Sequence, residues 1–246
     1  MGFEQATLSG KRILITGAGK GIGRHCALAC SALDAEVIAV SRTESDLQSL
    51  FEESDHRITP WVNDVMSTEL LRRIRDLDQL DGLINNAGTN RVGAMVDLDD
   101  EDIDAVIDLN VRAAFRVAQA SILPMKNSGG GAVVNMSSQM GHVGSPERTL
   151  YCMSKHAIEG LTRAMAVELA TDGIRVNSVA PTFVLTSLTA PMFDDQAFSD
   201  FVMDMIPMRK LATEEEVANA CVYLLSDLSG STTGTCLKVD GGWTAR

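Results

Sequence analysis

Aromatic side chains are scarce in this chain of 246 residues: they make up 4% of it, against an apolar fraction of 45%. Any core must therefore be built mainly from Val, Ile, Leu, Ala and Met, a composition typical of a packed α/β protein and not of a disordered chain. The sequence also lacks a linker rich in Pro, Ser or Gly that would divide it. We therefore predict a single domain over residues 1–246.

Basic residues are too few to balance the acidic ones, with 21 Lys and Arg against 33 Asp and Glu and a formal net charge of −12. A negative net charge disfavours a nucleic acid or an anionic membrane as the main partner. No apolar run reaches membrane length, and no charged and apolar leader pattern is present. We expect a soluble protein with neither kind of partner.

Cysteine pairs of the kind that bind metals are also missing, because the five cysteines form no CxxC and no His pairs lie between them at ligand spacing. Cys26 and Cys30, four positions apart on a predicted helix, are interpreted as buried thiols. We therefore expect no metal site, and a reducing, cytoplasmic compartment.

Short runs rich in β-branched residues alternate with segments whose apolar residues follow helical spacing, such as Ile158, Leu161 and Met165. Continuous apolar strands that alternate with helices indicate parallel pairing and burial of both sheet faces. The predicted fold is an α/β, Rossmann-like, doubly wound sheet of seven parallel strands with helices on both faces. Residues 187–212 show the least regular pattern and are interpreted as a substrate lid. The predicted strands cover residues 11–16, 36–41, 57–62, 82–85, 131–137, 174–180 and 235–240.

A glycine-rich stretch, TGAGKGIG at residues 16–23, follows the first predicted strand and opens a helix. Glycines permit a tight turn and close approach of a phosphate, and the helix points its free N–H groups at the same spot. A purely structural turn would use glycines too, but the strand–loop–helix context favours dinucleotide binding.

The end of the second strand carries Ser41 and Arg42, where an Asp or Glu would accept a hydrogen bond from the adenosine ribose 2′-hydroxyl. Arg42, together with Lys20 of the glycine loop, suits a 2′-phosphate instead. NADP(H) is therefore favoured over NAD(H), and the alternative is that Arg42 is a solvated loop charge.

Polar residues follow the fourth and fifth strands, at Asn85-Asn86 and at Ser137-Ser138, and Tyr151 and Lys155 come shortly afterwards. Strand carboxyl ends line one crevice in an open α/β sheet, so these side chains are predicted to converge. A tyrosine has an ordinary pKa of about 10, and an ammonium one helical turn away should lower that pKa.

Taken together, the motifs TGAGKGIG, NNAG, YxxxK and VNSVAPT, with Ser138 thirteen residues before Tyr151, resemble the short-chain dehydrogenase/reductase family across essentially the whole chain. Within that family, KGIGR, AVSRT, SDL and Pro181-Thr182 are similar to the tetrameric xylulose reductase and carbonyl reductase group. The resemblance to bacterial sugar and polyol dehydrogenases and to 3-oxoacyl-carrier-protein reductases is nearly as good.

This resemblance implies an NADP-dependent oxidoreductase that moves a hydride between a nicotinamide cofactor and a carbonyl or secondary alcohol, such as a sugar, polyol or small carbonyl compound. It makes Tyr151 the general acid of reduction and the base of oxidation. Ser138 would hold the substrate oxygen, and Lys155 would bind the nicotinamide ribose. Asn110 matches the family's Asn that keeps a water-linked proton path to the lysine, although by itself it is equally well explained as a kink or packing residue.

The remaining site residues also follow from the resemblance. Asp64 and Val65 would face the adenine, although Asp64 is also explained as a cap of the next helix, and Thr186 would contact the carboxamide. The implied substrate contacts are Ser138, Gln139, His142 and Tyr151. The implied cofactor contacts are Gly17, Gly19, Lys20, Gly21, Ile22, Gly23, Ser41, Arg42, Asp64, Val65, Asn86, Ala87, Gly88, Tyr151, Lys155, Pro181, Thr182, Val184 and Thr186.

Two other functions remain open: a 3-oxoacyl-carrier-protein reductase, and a dinucleotide-binding sensor that has lost the reaction. A sensor needs no reactive phenol, which disfavours it. A tightly cofactor-bound epimerase or dehydratase is disfavoured because such relatives usually carry a separate C-terminal domain. The resemblance also implies a homotetramer, paired through the long helices after the fourth and fifth strands and through the last strand and helix. Trp243 either anchors that second contact or packs within its own subunit.

Overall fold

The seven β-branched runs all form strands of one sheet in a computed structural model that describes residues 8–186 and 189–246. Each strand begins and ends within one residue of its predicted bounds. The strands are β1 (Arg12–Thr16), β2 (Glu36–Ser41), β3 (Ile58–Val62), β4 (Gly82–Asn85), β5 (Gly131–Met136), β6 (Ile174–Pro181) and β7 (Cys236–Val239). They lie in the order β3-β2-β1-β4-β5-β6-β7, and every neighbouring pair is parallel. The predicted doubly wound sheet is confirmed.

Helices cover both faces of this sheet, and their core-facing residues form two separate apolar clusters. Between the fourth and fifth helices, residues 108–113 form a π-helical turn that joins the two helices. Such turns are frequently found at functional sites. The helices are α1 (Gly21–Ala32), α2 (Glu44–Glu53), α3 (Thr68–Arg75), α4 (Asp100–Ile107), α5 (Ala114–Asn127), α6 (Thr149–Leu169), α7 (Gln196–Met205) and α8 (Glu214–Leu225).

Strand β1 shows why the central strands are apolar throughout. Ile13 and Ile15 pack in the cluster that includes residues of α1 and α8, while Leu14 packs in the cluster that includes residues of α3, α5 and α6. Side chains alternate between the two faces of a strand, so a sheet covered on both faces needs apolar residues at every position.

The segment predicted as a lid, residues 187–212, contains α7 and a small apolar cluster of its own. Its first two residues, Ser187 and Leu188, lie outside the described residues. Phe183 and Phe198 meet edge to face with ring centroids 5.4 Å apart, and Trp243 packs against Phe183. Trp243 is only 6% exposed, so it packs within its own subunit rather than forming an exposed interface anchor. Closure of the segment over a site stays a prediction.

No helix within residues 8–186 or 189–246 combines the length and hydropathy that a membrane crossing requires.

Candidate active site

The carboxyl ends of the central strands open onto a cavity of about 780 Å³. It extends from the glycine loop after β1 to the first turn of α6, with the loops after β4, β5 and β6 along it. The predicted residues that line it are Gly17, Lys20, Gly21, Ile22, Asn86, Ala87, Gly88, Ser138, Gln139, Tyr151, Lys155, Pro181, Thr182, Val184 and Thr186.

Close packing explains the glycines of the loop. Gly17 has a φ of +66°, which favours glycine, and a Cβ there would lie 3.0 Å from the Ala87 Cα. A Cβ on Gly23 would collide with the Gly17 carbonyl oxygen. The Asn86 side chain donates to that carbonyl at 3.2 Å and to the Thr16 carbonyl at 3.0 Å, which joins the NNAG motif to the glycine loop.

Unsatisfied polar groups indicate where a polar ligand would fit. Lys20 precedes α1 and provides no side-chain cap, so N–H groups of the first turn are available to an anion. Three buried oxygens on cavity-lining residues, on Asn90, Ser137 and Thr182, have no partner among the described residues. Buried polar atoms normally have hydrogen-bond partners. The residues therefore fit a dinucleotide with its phosphates at α1 and its polar nicotinamide end near β5 and β6.

The predicted proton-transfer group comes together at the other end of the cavity. Ser138 lies two residues after the end of β5, while Tyr151 and Lys155 lie one turn apart at the start of α6. The Ser138 hydroxyl donates to Gln139 Oε1 at 2.8 Å. Lys155 Nζ donates to the Met136 carbonyl at 2.9 Å and lies 5.5 Å from the centre of the Tyr151 ring.

Burial sets the proton affinities of these groups. Burial raises the pKa of Tyr151 to about 12, and the Ser138 hydroxyl and the Arg148 guanidinium act in the lowering direction. Burial lowers the pKa of Lys155 to about 8, opposed by the Glu159 carboxylate. We expected Lys155 to lower the pKa of Tyr151, but the net shift is upward. The reason is that desolvation of a phenolate outweighs the neighbouring charges.

Asn110 lies in the π-helical turn and is buried. Its side chain accepts from the Thr89 N–H at 2.8 Å and donates to the Thr89 carbonyl at 2.8 Å and to Ser154 Oγ at 3.0 Å. Asn110 therefore connects the loop after β4 to Ser154 of α6, the residue that precedes Lys155. This arrangement fixes the loop that borders the cavity.

The predicted adenosine end is exposed. Lys20 Nζ lies 3.3 Å from Asp46, and Arg42 lies 4.0 Å from Asp64. The Asp64 carboxylate accepts from the Met66 N–H at 2.8 Å, but the cap of α3 is Ser67.

Several predicted residues lie outside the cavity lining. The ring of His142, a predicted substrate contact, lies against other residues, with its Nε2 3.2 Å from Cys236 Sγ and 3.6 Å from Glu159 of α6. These three residues form a compact cluster of metal-ligand type that sequence spacing did not predict; the expectation of no metal site stays a prediction. The predicted residues outside the lining are Gly19, Gly23, Ser41, Arg42, Asp64, Val65, Asn110 and His142.

Other lining residues were missed. Arg148 is the most notable of them, because the stretch PERT around it carries no signal that separates it from a solvated loop charge. Thr186, the predicted carboxamide contact, lies in the lining with its hydroxyl 3.2 Å from that of Thr189. Ser137, which was predicted to converge with Ser138, also lines the cavity, and the missed residues are Thr89, Asn90, Val92, Met136, Met140, Arg148, Phe183, Thr189 and Met192.

Comparisons with known proteins find relatives over nearly the whole chain. Residues 17–244 match the family described as enoyl-(acyl carrier protein) reductase. The chain is 40% identical to the L-xylulose reductase of Homo sapiens over 97% of its own length and 98% of the relative's. It is 35% identical to the 3-oxoacyl-[acyl-carrier-protein] reductase of Thermotoga maritima over 96% of its length and 98% of that protein's.

Solved structures show the same fold. A short-chain type dehydrogenase/reductase from Mycobacterium marinum superposes with a TM-score of 0.91 at 36% identity, covering 97% of each chain. A gluconate 5-dehydrogenase from Burkholderia cenocepacia, in complex with NADP and tartrate, gives a TM-score of 0.93 at 30% identity and covers 100% of each chain.

Proposed function

The chain belongs to the short-chain dehydrogenase/reductase family of oxidoreductases, and from that premise we propose that it interconverts a small carbonyl compound and its secondary alcohol with NADP(H). The proposal depends chiefly on one observation: Ser138, Tyr151 and Lys155 meet in the cavity that the glycine loop borders. A hydroxyl, a phenol and an ammonium at one point suit proton transfer to a substrate oxygen. Sugars and polyols are the proposed substrates, since relatives are named for xylulose and gluconate.

The cofactor would supply the hydride, and the chain's own residues would bind and orient it. The uncapped start of α1 suits the pyrophosphate, because the helix dipole and free N–H groups favour an anion there. The backbone of residues 86–88 and the loop after β6 line the rest of the cavity and are proposed to position the nicotinamide.

A preference for NADP(H) is supported by charge at the exposed end. Lys20 and Arg42 are present there, and Ser41 stands where an acidic residue would repel a 2′-phosphate. The two aspartates nearby lie 3.3 and 4.0 Å from these cations and reduce the effect. The related gluconate 5-dehydrogenase was solved with NADP.

Proton transfer is assigned to Tyr151. With a pKa raised to about 12, its phenol is protonated at neutral pH and suits donation to a substrate oxygen during reduction. Ser138 is proposed to hold that oxygen. Lys155, with a pKa of about 8, is still largely cationic at pH 7 and favours the phenolate that donation leaves behind. Asn110 is proposed to position the loop after β4 and α6 around these groups.

A turnover screen tests the proposal. The purified chain would be assayed with NADPH and with NADH against small sugars, α-dicarbonyls and β-ketoacyl thioesters. We expect NADPH-dependent reduction of at least one sugar or dicarbonyl. Faster turnover with NADH would overturn the cofactor assignment. Activity restricted to the thioesters would favour a 3-oxoacyl-carrier-protein reductase, and cofactor binding without any turnover would favour a sensor.

Assembly as a homotetramer is proposed from the exposed apolar side chains on the two long helices. Phe115 and Leu123 of α5 and Met153 and Val167 of α6 are all exposed, and burial between copies would remove them from water. A cytoplasmic location is proposed with it. Sedimentation equilibrium, with a mass near four chains expected, tests the assembly.

A further inference from the structure

Arg148, in the loop before α6, lines the cavity and has no role in the reaction described above. It is only 6% exposed, yet its guanidinium makes one hydrogen bond to the described residues, from Nη1 to the Glu147 carbonyl at 3.2 Å. No carboxylate of residues 8–186 or 189–246 forms an ion pair with it. Charged side chains are seldom buried without a partner. Most of the five donors of Arg148 are therefore available to a ligand.

The charges that face the cavity are all of one sign. Its lining contains Lys20, Arg148 and Lys155 but no Asp or Glu of the described residues, although the chain as a whole has a net charge of −12. Lys20 lies at the glycine loop, and Lys155 is bonded to the Met136 carbonyl. Arg148 is the cation of this set that neither the phosphate end nor the proton-transfer group accounts for.

The chain path places this charge in the cavity at a conformational cost. Glu147 has a φ of +57°, in the left-handed region that non-glycine residues rarely adopt. Its side chain is exposed, while the next residue, Arg148, is buried. The turn thus separates two adjacent opposite charges, directing the anion to solvent and the cation inward. Strain of this kind is concentrated at functional sites.

Arg148 is also close to the reacting group. It is the N-cap residue of α6, three residues before Tyr151, and its charge acts on the Tyr151 phenol. A ligand atom held by this guanidinium would therefore belong to the same small molecule as the oxygen that faces Ser138 and Tyr151.

We infer that Arg148 binds a carboxylate of the substrate, so that among sugar- and polyol-derived compounds the preferred substrate is one that carries a carboxylate, such as a polyhydroxy acid. The planar guanidinium matches a carboxylate with two parallel hydrogen bonds. This inference rests on the proposed function and specifies its substrate class.

Two matched pairs of probes test the inference: D-gluconate against D-sorbitol, and tartrate against threitol, which differ in carboxylate versus alcohol at the chain end. Each would be titrated calorimetrically into the NADP-loaded protein, and oxidation of gluconate and sorbitol would be measured in parallel. The acids should bind at least about 10-fold more tightly than the alcohols. Arg148→Gln should weaken the acids by about 10- to 100-fold and the alcohols by less than about threefold, and Arg148→Lys should restore part of the loss.

Arg75→Gln is the matched control, because Arg75 is exposed at the end of α3 and its loss changes the net charge equally. Thermal melting and NADP titration of each variant check that folding and cofactor binding are retained. Equal affinity for acids and alcohols in the unmodified protein would overturn the inference. So would an equal loss of both in Arg148→Gln. A failure of the proposed function is distinguishable, since it would abolish turnover of every probe while leaving the binding difference.

Discussion

The two ends of the cavity region each carry two cations, in opposite surroundings. At the glycine-loop end the side chains of Lys20 and Arg42 are 67% and 76% exposed, with aspartates 3.3 and 4.0 Å away. At the reacting end Lys155 and Arg148 are 5% and 6% exposed. Neither of these two forms an ion pair within the part of the chain that the structure describes.

This difference indicates what each pair can do. Exposed charges are screened by water and salt, so they adjust affinity by modest amounts. Buried charges lose hydration, so their proton affinities shift and their contacts strengthen. The pKa of Lys155, lowered to about 8 by burial, is the direct consequence. Selectivity for the cofactor should therefore depend on the first pair, and the reaction and its substrate on the second.

The largest expected effect is removal of the buried ammonium. Lys155→Met should lower kcat for carbonyl reduction by about 10²- to 10³-fold, because the phenolate formed at Tyr151 loses its neighbouring cation. Steady-state kinetics with NADPH measures this, and fluorescence titration checks that cofactor still binds. Lys126→Met is the control, because Lys126 forms a surface pair with Asp172. A kcat for Lys155→Met within about threefold of the unmodified enzyme would contradict the claim that the reaction depends on the buried cations.

The pH profile of carbonyl reduction should show the titration of Lys155. Lys155 has its pKa lowered to about 8, so it is cationic below that pH and neutral above it, and kcat should fall as pH rises through about 8. Tyr151, with a pKa of about 12, stays protonated across this range. Measurement of kcat from neutral to alkaline pH tests the expectation. In Lys155→Arg the alkaline fall should disappear, since guanidinium keeps its charge, and a fall of the same size there would assign it to another group.

A smaller effect is expected at the exposed end. Lys20→Ala with Arg42→Ala should raise KM for NADPH by about 10-fold and KM for NADH by less than about twofold, because the two cations are proposed to contact only the 2′-phosphate. Added salt should reduce this difference. Initial rates with both cofactors at two salt concentrations measure it. Equal increases in KM for NADPH and NADH would show that Lys20 and Arg42 do not determine cofactor selectivity.

The smallest effect is expected for an acidic neighbour. Asp64→Asn retains the acceptor for the Met66 N–H but removes the charge 4.0 Å from Arg42. Because the pair is exposed, the melting temperature should change by less than about 1 °C and KM for NADPH should fall by at most about twofold. Calorimetric melting and initial rates measure the two values. A change of several degrees would show that the charge of Asp64 contributes more to stability than its solvent exposure indicates.

The sheet could be predicted from the sequence because burial of both faces makes central strands such as β1 and β4 nearly continuous apolar runs. The convergence of Ser138, Tyr151 and Lys155 could also be predicted, because the carboxyl ends of parallel strands lie at one edge of the sheet. The uncapped start of α1 was expected from the glycine loop as well.

The failures lie where loop paths decide which way a side chain faces. His142 was expected at the substrate, but the short helical turn at residues 139–141 turns it toward Cys236. Arg148 was overlooked, because nothing in the stretch PERT distinguishes a solvated loop charge from one that a left-handed Glu147 turns inward. The pKa of Tyr151 is raised because the side chain is buried, and the spacing of residues along a helix does not predict burial.

Single turnover with Tyr151→Phe tests the assignment of the reacting end most directly. The NADPH-loaded variant would be mixed with the best carbonyl substrate from the screen, and the decay of the cofactor's absorbance would be followed. We predict NADPH binding within about threefold of the unmodified protein and a decay at least about 10²-fold slower, because the proton donor is gone. Decay at the unmodified rate with NADPH fully bound would contradict the assignment of Tyr151 as the proton donor.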